Sequence, residues 1–342
     1  MSLTYSSFRD YRLDVARALC MIYVIFVHMY GYIYNVSSAC IIPAHDICGD
    51  ACLGLFTFSS GYLLGSKYIF GEQNAVIVLE FYKKRLLRII PLFVLSAVVL
   101  WLIGFNGARQ TLNGLLLISP FVTPRPRTLW YIPVILICYA ITPIISRDTL
   151  KGRVRNCLIV YALLLGIGRL VPSTDARLLF NVFFFMVGVI SSSCFDWKMK
   201  FRYGKLLQVL IILVFIIFVC IGQMNDNFHL KLFKRIVGGV GVFAWLFLCE
   251  YISSLFFDNV NDIKNRWKGW ICQLIGYVSY ASMACYMFHR LFFWAGEKIY
   301  NPDVASIKWI YMGGIVFPVM LILSYYIQKS YDTIVEKINK RQ

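Results

Sequence analysis

Apolar runs of about twenty residues recur along the whole chain, the length an α-helix needs to cross about 30 Å of hydrocarbon at about 1.5 Å per residue. Read at that length, the sequence holds about ten such runs: 13–33, 50–66, 87–105, 128–146, 156–172, 177–194, 206–223, 236–257, 271–294 and 307–328. A chain of 342 residues that is 59% hydrophobic with a mean hydropathy of +0.68 has too little polar surface to cover a soluble particle. The expected fold is all-α: a polytopic integral membrane bundle of about ten transmembrane helices, forming a single domain over residues 1–342. The weakest run is "GDACLGLFTFSSGYLLG", diluted by Ser59, Ser60 and glycines, and only a few residues separate the fifth run from the sixth. A short polar segment, Met1 to Tyr11, precedes the first run, and no small-residue cleavage site follows it, so that run reads as a retained span and not a signal peptide.

Lysine and arginine concentrate in short cytoplasmic loops of such proteins. Here they fall in alternate connections: Arg9 and Arg12, "KKRLLR" at 83–88, "RDTLKGRVR" at 147–155, "KMKFRYGK" at 198–205, "KNRWK" at 264–268, then Lys329, Lys337, Lys340 and Arg341. The connection Tyr34 to Gly49 has neither residue. That alternation predicts an even number of spans with both termini in the cytoplasm. The net charge of +17 then follows from membrane orientation and attraction to anionic lipid head groups, with no need for nucleic acid as a partner.

Eleven cysteines are mostly scattered singly inside apolar runs, where cysteine behaves as a small hydrophobe. Cys40, Cys48 and Cys52 lie near the outer face, and a Cys40–Cys48 bridge is one option in an oxidising compartment. No CxxC, HExxH or spaced His/Cys set suggests a metal.

Ionisable residues inside the spans are expensive and usually face the bundle interior or a watery cavity. Arg17 and His28 stand eleven positions apart in "LDVARALCMIYVIFVHMYG". At 100° per residue they share one helix face to within about 20°, separated by a rise of about 16.5 Å. Arg17 falls near the cytoplasmic surface, with Asp14 as its i, i+3 neighbour, and His28 falls in the outer half. Two further sets sit at these levels. Arg85 and Arg88, three apart before Pro91, suit phosphate, because each guanidinium offers two parallel donors. Tyr280, Tyr286 and His289 are expected in the outer half of the ninth run, while His45 and His229 fall in expected outer loops. Arg125 and Arg127 in "PRPR" lie on the outer side against the charge trend, beside Trp130. They are candidates for holding an anionic acceptor or for pairing with loop acids.

The chain resembles the membrane-bound acyltransferase 3 family, whose bacterial members include surface-glycan O-acetyltransferases. The resemblance spans nearly the whole sequence and appears in order: "RLDVARALCMIYVIFVH" with its Arg-x10-His pattern, "LFTFSSGYLLG", "KKRLLRIIPLF", "LWYIPVIL" and "YVSYASMACYMFH". Two positions depart from the family pattern, the first serine of "FSSG" and Arg290, where an apolar residue is commoner. No esterase-like domain follows the last run, as in a stand-alone member.

The resemblance implies acyl transfer from cytoplasmic acetyl-CoA, as co-substrate without a metal, to a sugar hydroxyl of a surface glycan or its lipid-linked precursor outside a bacterial inner membrane. On that reading Arg17, Arg85 and Arg88 bind the coenzyme A phosphates. His28 is the general base, or the nucleophile of an acyl-histidine, with His289 as the second catalytic histidine. Asp14, Ser60, Trp130, Tyr286 and Arg127 are the expected substrate-binding residues, Ser60, Tyr286 and His289 being candidates for the oxyanion or the acceptor hydroxyl. Succinyl or another short acyl group is the alternative donor. Outside the enzyme class the alternative is a proton-coupled transporter, against which stands the lack of an inverted repeat or paired broken helices. The sequence leaves the oligomeric state open.

Overall fold

A helix turns its backbone hydrogen bonds inward along its own axis, and the apolar runs of this chain take that solution throughout. The computed structural model describes residues 11–34, 44–70, 75–194, 205–222, 229–257 and 266–340, and no strand occurs among them. The helices are α1 (Tyr11–Ile33), α2 (Ala44–Lys67), α3 (Ala75–Leu102), α4 (Ala108–Leu115), α5 (Tyr131–Ile145), α6 (Leu150–Leu170), α7 (Ala176–Cys194), α8 (Lys205–Gly222), α9 (His229–Phe257) and α10 (Arg266–Ile299). A short helix α11 (Ala305–Tyr311) passes through a π-helical turn at Met312–Val316 into α12 (Phe317–Lys340).

Each of the ten apolar runs lies on a helix, but the described helices divide by length and polarity. Seven are long and apolar enough to cross a membrane: α1, α2, α3, α7, α9, α10 and the continuous stretch Ala305–Ile338. The apolar parts of α5 and α8 are shorter, at Tyr131–Ile145 and Leu206–Cys220. Helix α6 is diluted by Lys151, Arg153, Arg155 and Arg169. The expectation of about ten spans thus becomes seven that meet both requirements. The basic segment 198–204, residues 264 and 265, Cys40, Arg341 and the side chains of His45, His229 and Lys340 lie outside the described residues, and Cys48 stands half-buried on α2.

The basic run 83–88 lies within a helix and not in a connection. Helix α3 is continuous from Ala75, and Pro91 sits inside it and not at its entrance. Proline has no N–H, so the carbonyl of Leu87, four residues earlier, loses its helical partner. The Tyr331 hydroxyl of α12 donates to that carbonyl, meeting the need and pinning α12 to α3.

Two contacts fix the frame. Helices α2 and α7 approach backbone to backbone. A Cβ on Gly61 would lie 2.1 Å from the Phe185 carbonyl oxygen, and one on Gly188 would lie 2.2 Å from that of Phe58. At one end of this pair the buried Arg153 donates to the carbonyls of Gly65 and Val189 at 3.0 Å and to Ser192 Oγ at 2.8 Å. It therefore satisfies the Gly65 carbonyl, which the end of α2 leaves open, and ties it to α7. Helix α1 lies against α10, where the Ser279 hydroxyl donates to the buried Asp14 carboxylate at 2.6 Å.

Candidate active site

Between these helices are two cavities at different depths along α1. The first, of 380 Å³, is lined by Arg17, Lys67, Arg85 and Arg88, with Ser60 and Tyr280 among its hydroxyl groups. No carboxylate lines it among the described residues. Arg85 is held in an aromatic cage, its guanidinium carbon 5.9 Å from the ring centres of Tyr68 and Phe81 and 5.8 Å from that of Tyr139. Its Nε is buried without a hydrogen-bond partner. A donor fixed by stacking and left unpaired is poised for an external anion. Arg17 lies within electrostatic reach of Arg85 and Arg88, so three cations repel one another until a negative ligand enters.

The second cavity, of 590 Å³, contains His28 with Tyr23, Trp130, Arg177, Lys234 and Arg235. Leu53 and Tyr286 line both cavities and form the wall between them. Tyr286 is fixed there by a hydrogen bond to the Thr128 carbonyl and an edge contact with Tyr131, ring centres 5.8 Å apart.

His28 of the second cavity stacks on His289, with ring centres 5.0 Å apart and planes inclined by 19°. His289 is fully buried. Its Nδ1 donates to the carbonyls of Tyr286 at 2.9 Å and Cys285 at 3.1 Å, which leaves the lone pair on Nε2, without a partner among the described residues. The Nδ1 of His28 lies 2.6 Å from Nη2 of Arg290. A guanidinium only donates, so this Nδ1 is an acceptor, and in the neutral ring the hydrogen is on Nε2. Arg290 is itself tied to Thr128 Oγ1 at 3.2 Å, over the rings of Phe105 and Tyr32 at 5.3 and 5.5 Å.

The structure thus gathers Arg17, Arg85, Arg88 and Ser60 at one cavity, His28 and Trp130 at the other, and Tyr286 in the wall between them, while His289 lines neither cavity and lies buried behind His28. Tyr280, expected beside His289, instead lines the arginine cavity, its hydroxyl bonded to Asp332. Asp14 lines neither cavity and braces α1 on α10. Arg127 also lines neither; its N–H donates to Asn106 Oδ1 at 3.1 Å and its guanidinium covers Phe105. Arg125 bonds the Ser119 and Ser173 carbonyls and lies 3.4 Å from Asp175, so it pairs with a loop acid. Burial alone would raise the Asp175 carboxyl, yet the bonds and charge of Arg177, with Arg125, outweigh it and hold it below the usual carboxylate range. Among the described residues no group of three or more His, Cys, Asp or Glu side chains is placed to hold a metal ion.

An intramembrane Arg–His face opening on a cationic cavity is what the ordered motifs imply, and the acyltransferase domain model matches residues 10–329. The chain belongs to the acyltransferase 3 family. No curated protein and no solved structure matches it. Within this acyltransferase, the sequence singled out Arg290 only as a departure from the family pattern. It gave no sign that Arg177, Lys234 and Arg235 share a cavity with His28, because a cation near the end of an apolar run reads as an interfacial anchor.

Proposed function

We propose that this protein moves a short acyl group, acetyl in the first instance, from coenzyme A to a sugar hydroxyl of a surface glycan or its lipid-linked precursor. The observation that carries the reading is the pair of cavities meeting at Leu53 and Tyr286, one lined by four cations and no described carboxylate, the other holding His28. Coenzyme A is polyanionic at its nucleotide end and neutral along its pantetheine arm. Its phosphates belong with Arg17, Arg85 and Arg88 on the cytoplasmic side, and its thioester reaches the junction. The acceptor approaches from the outer side. Its hydroxyl oxygen attacks the thioester carbonyl, its proton passes to His28 Nδ1, and the carbon–sulfur bond breaks as the thiolate leaves and takes up that proton. Because Arg290 now occupies Nδ1, the incoming hydroxyl displaces that donor, and the freed guanidinium meets the charge developing on the carbonyl oxygen.

The test is purified protein in vesicles with labelled acetyl-CoA inside and candidate glycans outside. Wild type transfers label to the glycan, and His28→Ala, folded to the same extent, falls to background. Turnover in His28→Ala equal to wild type would overturn the assignment of the base.

A further inference from the structure

The outer cavity is cationic as well as aromatic, and its charges are not all used by the fold. Arg235 and Asp50, both in its wall, form an ion pair. Arg177 is held bidentately by Asp175, with contacts of 2.6 and 3.0 Å to Oδ2, and lies 3.8 Å over the Trp130 ring. Lys234 has no ion-pair or hydrogen-bond partner among the described residues, although it is half-buried in the same wall. Its position follows from close helix packing one turn further along α9. A Cβ on Gly238 would stand 3.0 Å from Asp50 Cβ, and one on Gly241 would stand 2.8 Å from Ala51 Cβ. That approach sets Lys234 and Arg235 against α2 at the cavity. A partly dehydrated ammonium with no ion-pair partner among the described residues attracts an anion from water, and the low-dielectric wall strengthens that attraction.

We propose that the acceptor bears a negative group, a phosphate ester or a sugar carboxylate, and that Lys234 receives it while Tyr23, Trp130 and Tyr286 line the space taken by the sugar rings. Arg235 and Arg177 are already neutralised by Asp50 and Asp175, which leaves Lys234 as the cation of this wall that no described carboxylate pairs. This rests on the reading of His28 as the group that activates an acceptor hydroxyl, and it adds the chemical class of the acceptor. The inner cavity is reserved by its own arginines for the donor, so each substrate has a separate anion site, one on either side of the Leu53–Tyr286 wall.

The experiment uses the full chain in neutral phosphatidylcholine nanodiscs and a panel of bacterial-type oligosaccharides, each offered as a polyprenyl-diphosphate conjugate, as the 1-phosphate, as a uronic-acid-containing free glycan and as the neutral free glycan. The expected result is a kcat/KM at least tenfold higher for charged forms than for neutral ones, with Lys234→Met collapsing that ratio to near one and Lys234→Arg restoring most of it. If the 1-phosphate and the diphosphate conjugate are favoured over the uronic acid, the recognised group is phosphate; the reverse order makes it a carboxylate. Equal use of charged and neutral forms by wild type, or an unchanged ratio in Lys234→Met, overturns the proposal. Equilibrium dialysis of the 32P-labelled 1-phosphates against wild type and Lys234→Met reads the anion site without any transfer. Lys234-dependent binding without acylation of any form would sink the acyltransfer reading and leave the anion site standing; acylation without charge preference would do the opposite.

Discussion

Arg290 constrains His28, because a guanidinium at 2.6 Å selects a single tautomer of the ring and its own bond to Thr128 helps fix where it stands. Replacing it with leucine removes the donor that holds this tautomer. Arg290→Leu is expected to lower kcat on the order of tenfold, the usual scale for an orienting partner, while donor KM stays put, because Arg290 is absent from the donor cavity. Arg290→Lys, which still donates, is expected to recover part of the loss. A rise in donor KM at constant kcat would show that Arg290 acts on coenzyme A and not on His28. At this scale the sequence was informative about depth: the eleven-residue spacing set Arg17 and His28 at different levels of one helix face, and the structure adds that they line two cavities where the sequence suggested one. It was silent on which nitrogen of His28 is occupied, since Arg290 and His28 are 262 residues apart and only the packing of α1 on α10 joins them.

Among the helices, the decisive contact is α2 against α7. The glycine of "FSSG" resembles a family signature, yet the structure gives Gly61 a packing reason: any side chain there meets the Phe185 carbonyl. Gly61→Ala and Gly188→Ala are each expected to cost about 1–3 kcal/mol, the range for overpacking a close contact, and more if backbone must shift. Thermal unfolding followed by fluorescence-detected size exclusion would read this as a lower melting temperature and a smaller folded fraction. Gly269→Ala is the control, since a Cβ there meets nothing within 4 Å, and helix propensity alone predicts a gain of up to about 1 kcal/mol. Equal losses in all three variants would mean that the α2–α7 contact is not special. Hydropathy located these helices but misread the start of α3, because a window that penalises "KKRLLR" ends a span where the backbone does not. The carbonyl left open by Pro91 and met by Tyr331 is a tertiary fact that no local window contains.

Over the molecule as a whole, the proposed function requires that the arginine cavity and the His28 cavity face opposite sides of the membrane. The distribution of basic residues in the sequence leads to the expectation that the first faces the cytoplasm. Single cysteines in the 106–127 segment and in the 147–149 connection, placed in a background cleared of accessible thiols, are expected to label differently with an impermeant reagent on intact cells: the first strongly, the second only after lysis. The reverse pattern would put His28 on the cytoplasmic side and end the trans-membrane scheme. The arginine cavity was legible in the sequence because its cations form a short run on α3 together with Arg17. The cations of the His28 cavity were not, because Arg177 on α7 and Lys234 and Arg235 on α9 come together only when both helices pack on α2.

The wall shared by the two cavities also has an electrical meaning. Two polar chambers opening toward opposite faces of a bilayer, as the proposed function requires, would if joined short-circuit the membrane potential, and among the described residues only Leu53 and Tyr286 line both of them. On the proposed scheme the enzyme brings two substrates within bonding distance while remaining an insulator, and a bulky phenol anchored to the Thr128 carbonyl serves that end better than a mobile apolar chain. Tyr286→Ala in liposomes with an imposed pH gradient is therefore expected to collapse that gradient several times faster than wild type, read with an entrapped pH-sensitive dye and no substrate present. Added coenzyme A should slow the leak by filling the inner chamber. A variant that holds the gradient as well as wild type would show that the seal lies elsewhere along the path.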